Sequence, residues 1–180
     1  MPAQAFFQSC RAALLTGAIL TCSPCSGAPL AGPEYVLKAA FIYNFAMFTT
    51  WAERLDRSIT LCVLGRDPFG AALDPLAGKQ IGSAKLAIKR MKTRAETQGA
   101  CQIVFVTASE VDNYLSLMAC AQDGGAVLTI ADKEGAAQRG MMIELTVEDK
   151  KIGFEFNRQA ARLGNVEVSS KLLRMARKVY

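Results

Sequence analysis

Residues 59–70 read ITLCVLGRDPFG, a near-continuous apolar run followed by a charged, proline-bearing turn and a glycine. Alternation of apolar and polar residues marks a strand that is wet on one face. An apolar run without alternation marks a strand covered on both faces, as in parallel sheets. Residues 59–65 therefore predict a central parallel strand. Asp67-Pro68 then turns the chain into a short helix over 69–76.

The signal recurs on both sides. Residues 102–107 (QIVFVT) and 126–131 (AVLTIA) are two more buried strands, and 86–91 (LAIKRM) is a more amphipathic one. Ser109 reads as the N-cap of a helix with Glu110 and Asp112 in its first turn, running to about Gln122 and stopped by Gly124-Gly125. Upstream, residues 34–53 predict a helix. Leu37, Phe41, Phe45, Phe48 and Ala52 form one apolar stripe, and Val36, Ala40, Tyr43, Met47 and Trp51 form another. A helix apolar on most of its surface is expected to be covered on most of it, by the core or across a dimer interface. Phe41, Tyr43, Met47 and Trp51 are the residues for those two roles. The apolar stretch 39–52 is too short to span a bilayer as a helix, which takes about 20 residues.

The pattern changes near residue 141. Met141, Ile143, Leu145 and Val147 alternate with Met142, Glu144, Thr146 and Glu148; Ile152, Phe154 and Phe156 alternate with Gly153, Glu155 and Asn157. This predicts a β-hairpin with one apolar face. Asn157 then caps a short helix over 158–163, ended by Gly164. Residues 166–168 are extended. Ser169 or Ser170 caps a last helix, with Leu172, Leu173, Ala176 and Val179 inside and Lys171, Arg174 and Lys178 outside. The expected fold is α/β: a single domain over residues 34–180, with a mixed, mostly parallel sheet, a C-terminal antiparallel hairpin and helices on both faces.

The first 28 residues read as a signal peptide, with cleavage about 28–31. Arg11 is the only charge before Glu34, and residues 12–21 (AALLTGAILT) have the length of its apolar segment. A bacterial periplasm is the expected destination, and a lipoprotein site at Cys22 is disfavoured by the bulk of Thr21. The mature chain keeps Cys62, Cys101 and Cys120. Cys62 and Cys101 adjoin predicted strands and are expected to pair, leaving Cys120 as a buried thiol; three reduced thiols is the alternative.

With 21 basic and 16 acidic residues, the charge of +5 is mild and does not demand a nucleic acid. The chain has no histidine. Ser-His-Asp and Cys-His catalysis and His-bearing zinc sites are therefore excluded. GRDPFG lacks the endings and spacings of phosphate-cradling loops. Glu110 and Asp112 read as helix-start charges. Glu155, between two phenylalanines, is either solvated or a partner contact. No catalytic residue, metal site or cofactor is expected.

Three segments, KAAFIYNFAMFTTW (38–51), LCVLGRDPFG (61–70) and FEFNRQAARLGNVEVSSKLLRMARKV (154–179), together resemble the YfiR family. The likeness spans about residues 35–179. It implies a periplasmic repressor, a homodimer, that binds the periplasmic sensor domain of a membrane diguanylate cyclase and lowers cyclic di-GMP signalling and biofilm growth. It also implies release by a peptidoglycan-associated outer-membrane lipoprotein. The family pattern has two disulfides. Cys62 and Cys101 fall where one is expected, but the second should lie near residues 136–143, which here read AAQRGMMI. The expected partner surface is Asn157, Arg158, Arg162, Asn165 and Glu167. The alternative reading is a periplasmic small-molecule-sensing adaptor for a sensor kinase.

Overall fold

The computed structural model describes residues 32–51, 58–120 and 126–180. The expected signal peptide and the Gly124-Gly125 stop lie outside these residues, as does the side chain of Cys120. In chain order the elements begin with α1 (Pro33–Met47), β1 (Thr49–Thr50) and β2 (Ser58–Leu64). After a 3₁₀ turn over Gly70–Leu76 come β3 (Gln80–Ile81), β4 (Ala84–Met91), β5 (Ile103–Val106), α2 (Val111–Cys120) and β6 (Leu128–Ala131). The hairpin is β7 (Ile143–Glu148) and β8 (Lys151–Phe156). Then follow α3 (Arg158–Leu163), β9 (Glu167–Val168), α4 (Ser170–Met175) and β10 (Lys178–Val179).

Among the described residues, eight strands form one sheet in the order β10-β8-β7-β6-β5-β2-β4-β3. The centre, β4 through β7, is parallel throughout. The hairpin β7–β8 and the short β3 are antiparallel additions. A separate two-stranded ribbon joins β1 to β9.

Alternation along each central strand divides the core into two clusters. Ile59, Leu61 and Val63 of β2 lie with Ile103 and Phe105 of β5, with Leu128 and Ile130 of β6, and with α1 residues Ala39, Ile42, Phe45 and Ala46. Cys62 and Leu64 lie instead with Val104, Val106 and Ala131, and with Val111 and Tyr114 of α2. Helices thus cover both faces, and β2 is buried at every position after Ser58. The apolar run of residues 59–64 is long because the strand has no wet side.

Four expectations need correcting. The first helix ends at Met47, not Glu53. Phe48 donates its N–H to the carbonyls of Asn44 and Phe45, and the chain then enters β1. The buried face of α1 is also rotated from the expected one: Leu37 is 53% exposed, with Val36 and Met47 also outside, whereas Lys38 is only 4% exposed. The last helix ends at Met175, and Lys178 and Val179 instead extend the sheet as β10, in register with Glu155 and Phe156 of β8. An apolar Val179 suits either ending, and the open edge of β8 decides between them. At α2, Ser109 lies two residues before the helix, its hydroxyl 3.3 Å from that of Thr107.

Candidate functional site

The start of α3 matches the sequence expectation closely. Asn157 Oδ1 accepts from the Ala160 N–H at 2.7 Å, and Asn157 Nδ2 donates to the Ala137 carbonyl at 2.6 Å. Asn157 is buried, and its amide serves the helix start and the loop before β7. Gly164 ends the helix with an ordinary φ of −88°. A Cβ there would meet the Met142 methyl group, the far end of a flexible side chain that would have to shift to make room. The left-handed turn falls on Asn165, at φ 52°, a residue that tolerates it better than most.

The other four expected residues, Arg158, Arg162, Asn165 and Glu167, are exposed. Arg158 and Arg162 are one helical turn apart, and neither forms an ion pair among the described residues. Leu163 beside them is 79% exposed. The surface is fixed to the N-terminal helix through the ribbon, where Thr50 pairs with Glu167 and Thr49 with Val168. The Ser169 N–H donates to the Phe48 carbonyl at 2.8 Å, and Lys171 Nζ lies 5.5 Å from the Phe48 ring centre. Ser169 caps α4 by accepting from the Leu172 N–H.

Of the four aromatic-stretch residues, three pack inward. Phe41 stands 6.5 Å from Phe154, centre to centre. The Tyr43 hydroxyl donates to the Gln80 carbonyl at 2.8 Å, and Trp51 Nε1 donates to the Ala46 carbonyl at 2.8 Å. All three touch the main core, whereas Met47 is 47% exposed.

Two buried polar constellations have no signature in the sequence. Lys38 Nζ lies 2.6 Å from Glu34 and 3.0 Å from Asp132, and the Tyr35 hydroxyl also donates to Asp132 at 3.0 Å. Burial alone would lower the Lys38 pKa. The hydrogen bonds to Glu34 and Asp132 outweigh it and hold the pKa above the ordinary lysine value. Burial first, then the Asp132 charge, pushes the Tyr35 hydroxyl above its usual value. Elsewhere, Glu144, 3% exposed, accepts from the Gly135 N–H at 3.0 Å and from the Ala137 N–H at 2.9 Å. Glu155 accepts from the Tyr180 hydroxyl at 2.6 Å, so it is engaged within the chain.

Cys62 and Cys101 form a disulfide, with Cα atoms 5.9 Å apart. The segment expected to hold a second bridge contains Ala136, Ala137, Met141 and Met142, all at most 2% exposed. Among the described residues no cluster of three or more Cys, Asp or Glu is placed to hold a metal ion, and no helix is long and apolar enough to cross a membrane.

A search among curated proteins finds no match. Among solved structures, a conserved domain protein from Vibrio cholerae O1 biovar El Tor superposes with a TM-score of 0.52 at 13% identity. The match covers 81% of this chain and 60% of that one, and at this identity it speaks for the fold alone. The profile of the YfiR/HmsC-like family matches residues 35–177. At family level these are periplasmic regulators of the diguanylate cyclase kind. A match over most of the chain, on an α/β domain of the expected organisation, settles its kinship: the chain belongs to the YfiR/HmsC-like family.

Proposed function

We propose that this protein is exported to the periplasm, where it binds the periplasmic sensor domain of an inner-membrane diguanylate cyclase and holds that enzyme inactive. The observation that carries this reading is the family match over residues 35–177. The exposed face of α3 and β9 supports it: Arg158 and Arg162 present two guanidinium forks one turn apart, next to exposed Leu163. Two forks at that spacing suit a pair of carboxylates, and an apolar neighbour lets the contact lose water. Asn165 and Glu167 complete the surface; Asn157 supports it from beneath.

Repression of this kind is a population shift. The protein inhibits only to the extent that it binds the inactive receptor more tightly than the active one. Moving a receptor from mostly active to mostly inactive takes a differential of about 5.5 kcal/mol. A peptidoglycan-associated lipoprotein that covered the same surface would release the cyclase by competition, and a homodimer would present the surface twice.

The test is capture from envelope extract with the mature protein, paired with a cyclic di-GMP reporter in cells. Recovery of a cyclase with a periplasmic domain, weakened by Arg162→Glu together with a rise in cyclic di-GMP, is the expected result. Capture of a sensor kinase instead, with cyclic di-GMP unchanged on deletion, would replace the repressor with a kinase adaptor.

A further inference from the structure

At the end of the sheet far from α3, β4 leaves part of its edge open. Backbone N–H and C=O groups of successive strand residues point to opposite sides. Leu86 donates to the Lys79 carbonyl and accepts from the Gly78 N–H, both at 2.8 Å, so its groups face away from β2. The Met91 carbonyl accepts from the Gly65 N–H, so Met91 faces β2. By alternation, Ile88 and Arg90 face outward with Leu86. β3 pairs only with Ala84 and Lys85. Among the described residues, nothing reaches the outward groups of Ile88 and Arg90.

The side chains along this edge are cationic. Lys85, Lys89 and Lys92 are exposed and have no ion-pair partner among the described residues. Arg90 is partly occupied, with Nε 2.6 Å from Asp67 and Nη2 donating to the Gly70 carbonyl at 2.9 Å. The register places Lys89 beside Cys62, whereas Ile88 lies beside Leu61 and packs against the main core. The edge therefore has Lys85 and Lys89 on one side, and Ile88 followed by Arg90 on the other.

Edge lysines guard against pairing with other strands. The guard is selective, because a like charge opposite repels and an unlike charge attracts. A second copy of β4 would set lysines against lysines. Gln80 of β3 already holds the position outside Lys85, so an extended acidic segment would lie opposite residues 87–91. It would bring carboxylates beside Lys89 and diagonal to Lys85, and its backbone would satisfy the unpaired groups of Ile88 and Arg90.

We propose that the open edge of β4 is a strand-addition site for an extended acidic segment of a partner protein lying opposite residues 87–91, with carboxylates at alternate positions beside Lys89 and diagonal to Lys85 and an apolar residue facing Ile88. The site lies at the opposite end of the sheet from the hairpin and β10, so it is separate from the proposed receptor surface.

The probe is a capped, fluorescent heptapeptide alternating Glu and Val, titrated into the mature protein and followed by anisotropy. Amide hydrogen exchange is read at Ile88 and Arg90. The expected result is saturable binding that weakens with salt, with both amides slowed. The double variant Lys85→Glu/Lys89→Glu should bind at least about tenfold more weakly, the scale of losing charge-assisted contacts. Ile88→Pro deletes one outward N–H at an edge position that tolerates proline. If its melting curve is native-like, it too should weaken binding; if it unfolds, the charge variant and the exchange data still decide. No binding, or equal binding to the charge-reversed variant, would overturn the proposal. So would retention on anionic lipid vesicles without peptide binding, which would assign the lysines to headgroups. Receptor capture by Lys85→Glu/Lys89→Glu should stay as in the wild type, so failure here and failure of the repressor reading are separable.

Discussion

The segment joining β4 to β5 and the one joining β6 to β7 both cross the end of a parallel sheet, and they are fastened by different chemistry. The first carries Cys101, bonded to Cys62 in the middle of β2 across 39 residues of sequence. The second, residues 132–142, has no cysteine. Glu144 grips the N–H groups of Gly135 and Ala137, Asn157 grips the Ala137 carbonyl, and Met141 and Met142 fill the space beneath. One joint is covalent and depends on the redox state of its surroundings. The other is made of hydrogen bonds and packing, and no reductant reaches it. A family member with two bridges would have two redox-sensitive joints; among the described residues this chain has one, so reduction should loosen the β2–β5 side and leave the β6–β7 joint in place.

The largest effect expected is at the covalent joint. Cys62→Ala/Cys101→Ala should cost about 4 kcal/mol in the chain-entropy model. Urea unfolding midpoints with and without dithiothreitol check it: reductant should shift the wild type and leave the variant where it is. Equal sensitivity in both would show that the contrast is false. Next is the hydrogen-bonded joint. Glu144→Ala strands two backbone donors in a buried site and should cost about 3 kcal/mol, with dithiothreitol still shifting the midpoint further. If reductant no longer shifts the Glu144→Ala protein, the two joints are coupled.

A third joint, Lys38 with Asp132, sharpens the comparison because it holds by charge. Lys38 and Tyr35 both have folded pKa values above their unfolded ones. The stability they contribute is therefore complete below about pH 10 and is lost as pH rises through the folded values. Denaturation midpoints between pH 9 and 11 should fall in the wild type and fall less in Lys38→Met, a variant that starts from lower stability because Asp132 loses its cation. The smallest effect is at the hairpin tip. Asp149 and Lys150 take φ values of 50° and 61°, so Lys150→Gly should stabilise by about 0.5 kcal/mol and raise the melting temperature slightly. Destabilisation there would mean that Lys150 does more than turn the chain.

The central strands were legible because their environment is simple. Residues 59–64, 103–106 and 128–131 are buried on both faces, and burial on both faces writes itself as an apolar run. The caps at Asn157 and Ser169 were legible because the hydrogen bonds that select them reach only three residues along the chain. The face of α1 was misread for the converse reason. Lys38 is buried by Asp132, 94 residues away, and local hydrophobicity carries no trace of that partner. Leu37 and Met47 look like core residues and are exposed. The end of the chain was misread because two residues cannot show a period, and β10 is two residues long. Glu144 read as the polar face of a strand; its role comes from a loop that the hairpin pattern does not include. At the proposed partner surface, the exposed arginines and the cap at Asn157 follow from helix periodicity, but the burial of Asn157 depends on the Ala137 carbonyl, 20 residues back.

The placement of α1 has a consequence for how the molecule comes together in time. The helix is the first element of the described chain, and its partners are spread along the sequence. Tyr35 meets Phe69 at 5.2 Å between ring centres and Tyr43 meets Gln80, but Asp132 for Lys38, Phe154 for Phe45 at 4.9 Å between ring centres, and Val168 for Thr49 just past its end come late. A chain made from its N-terminus can therefore seat one side of this apolar helix early, on β2 and the turn at 70–76, but leaves the side that meets Phe154 uncovered until the hairpin exists. Contacts of such long range slow folding and leave greasy surface uncovered while it proceeds. For this protein the hazardous interval is the assembly of β7, β8 and β9, and a holdase that recognises residues 39–51 would be most useful then.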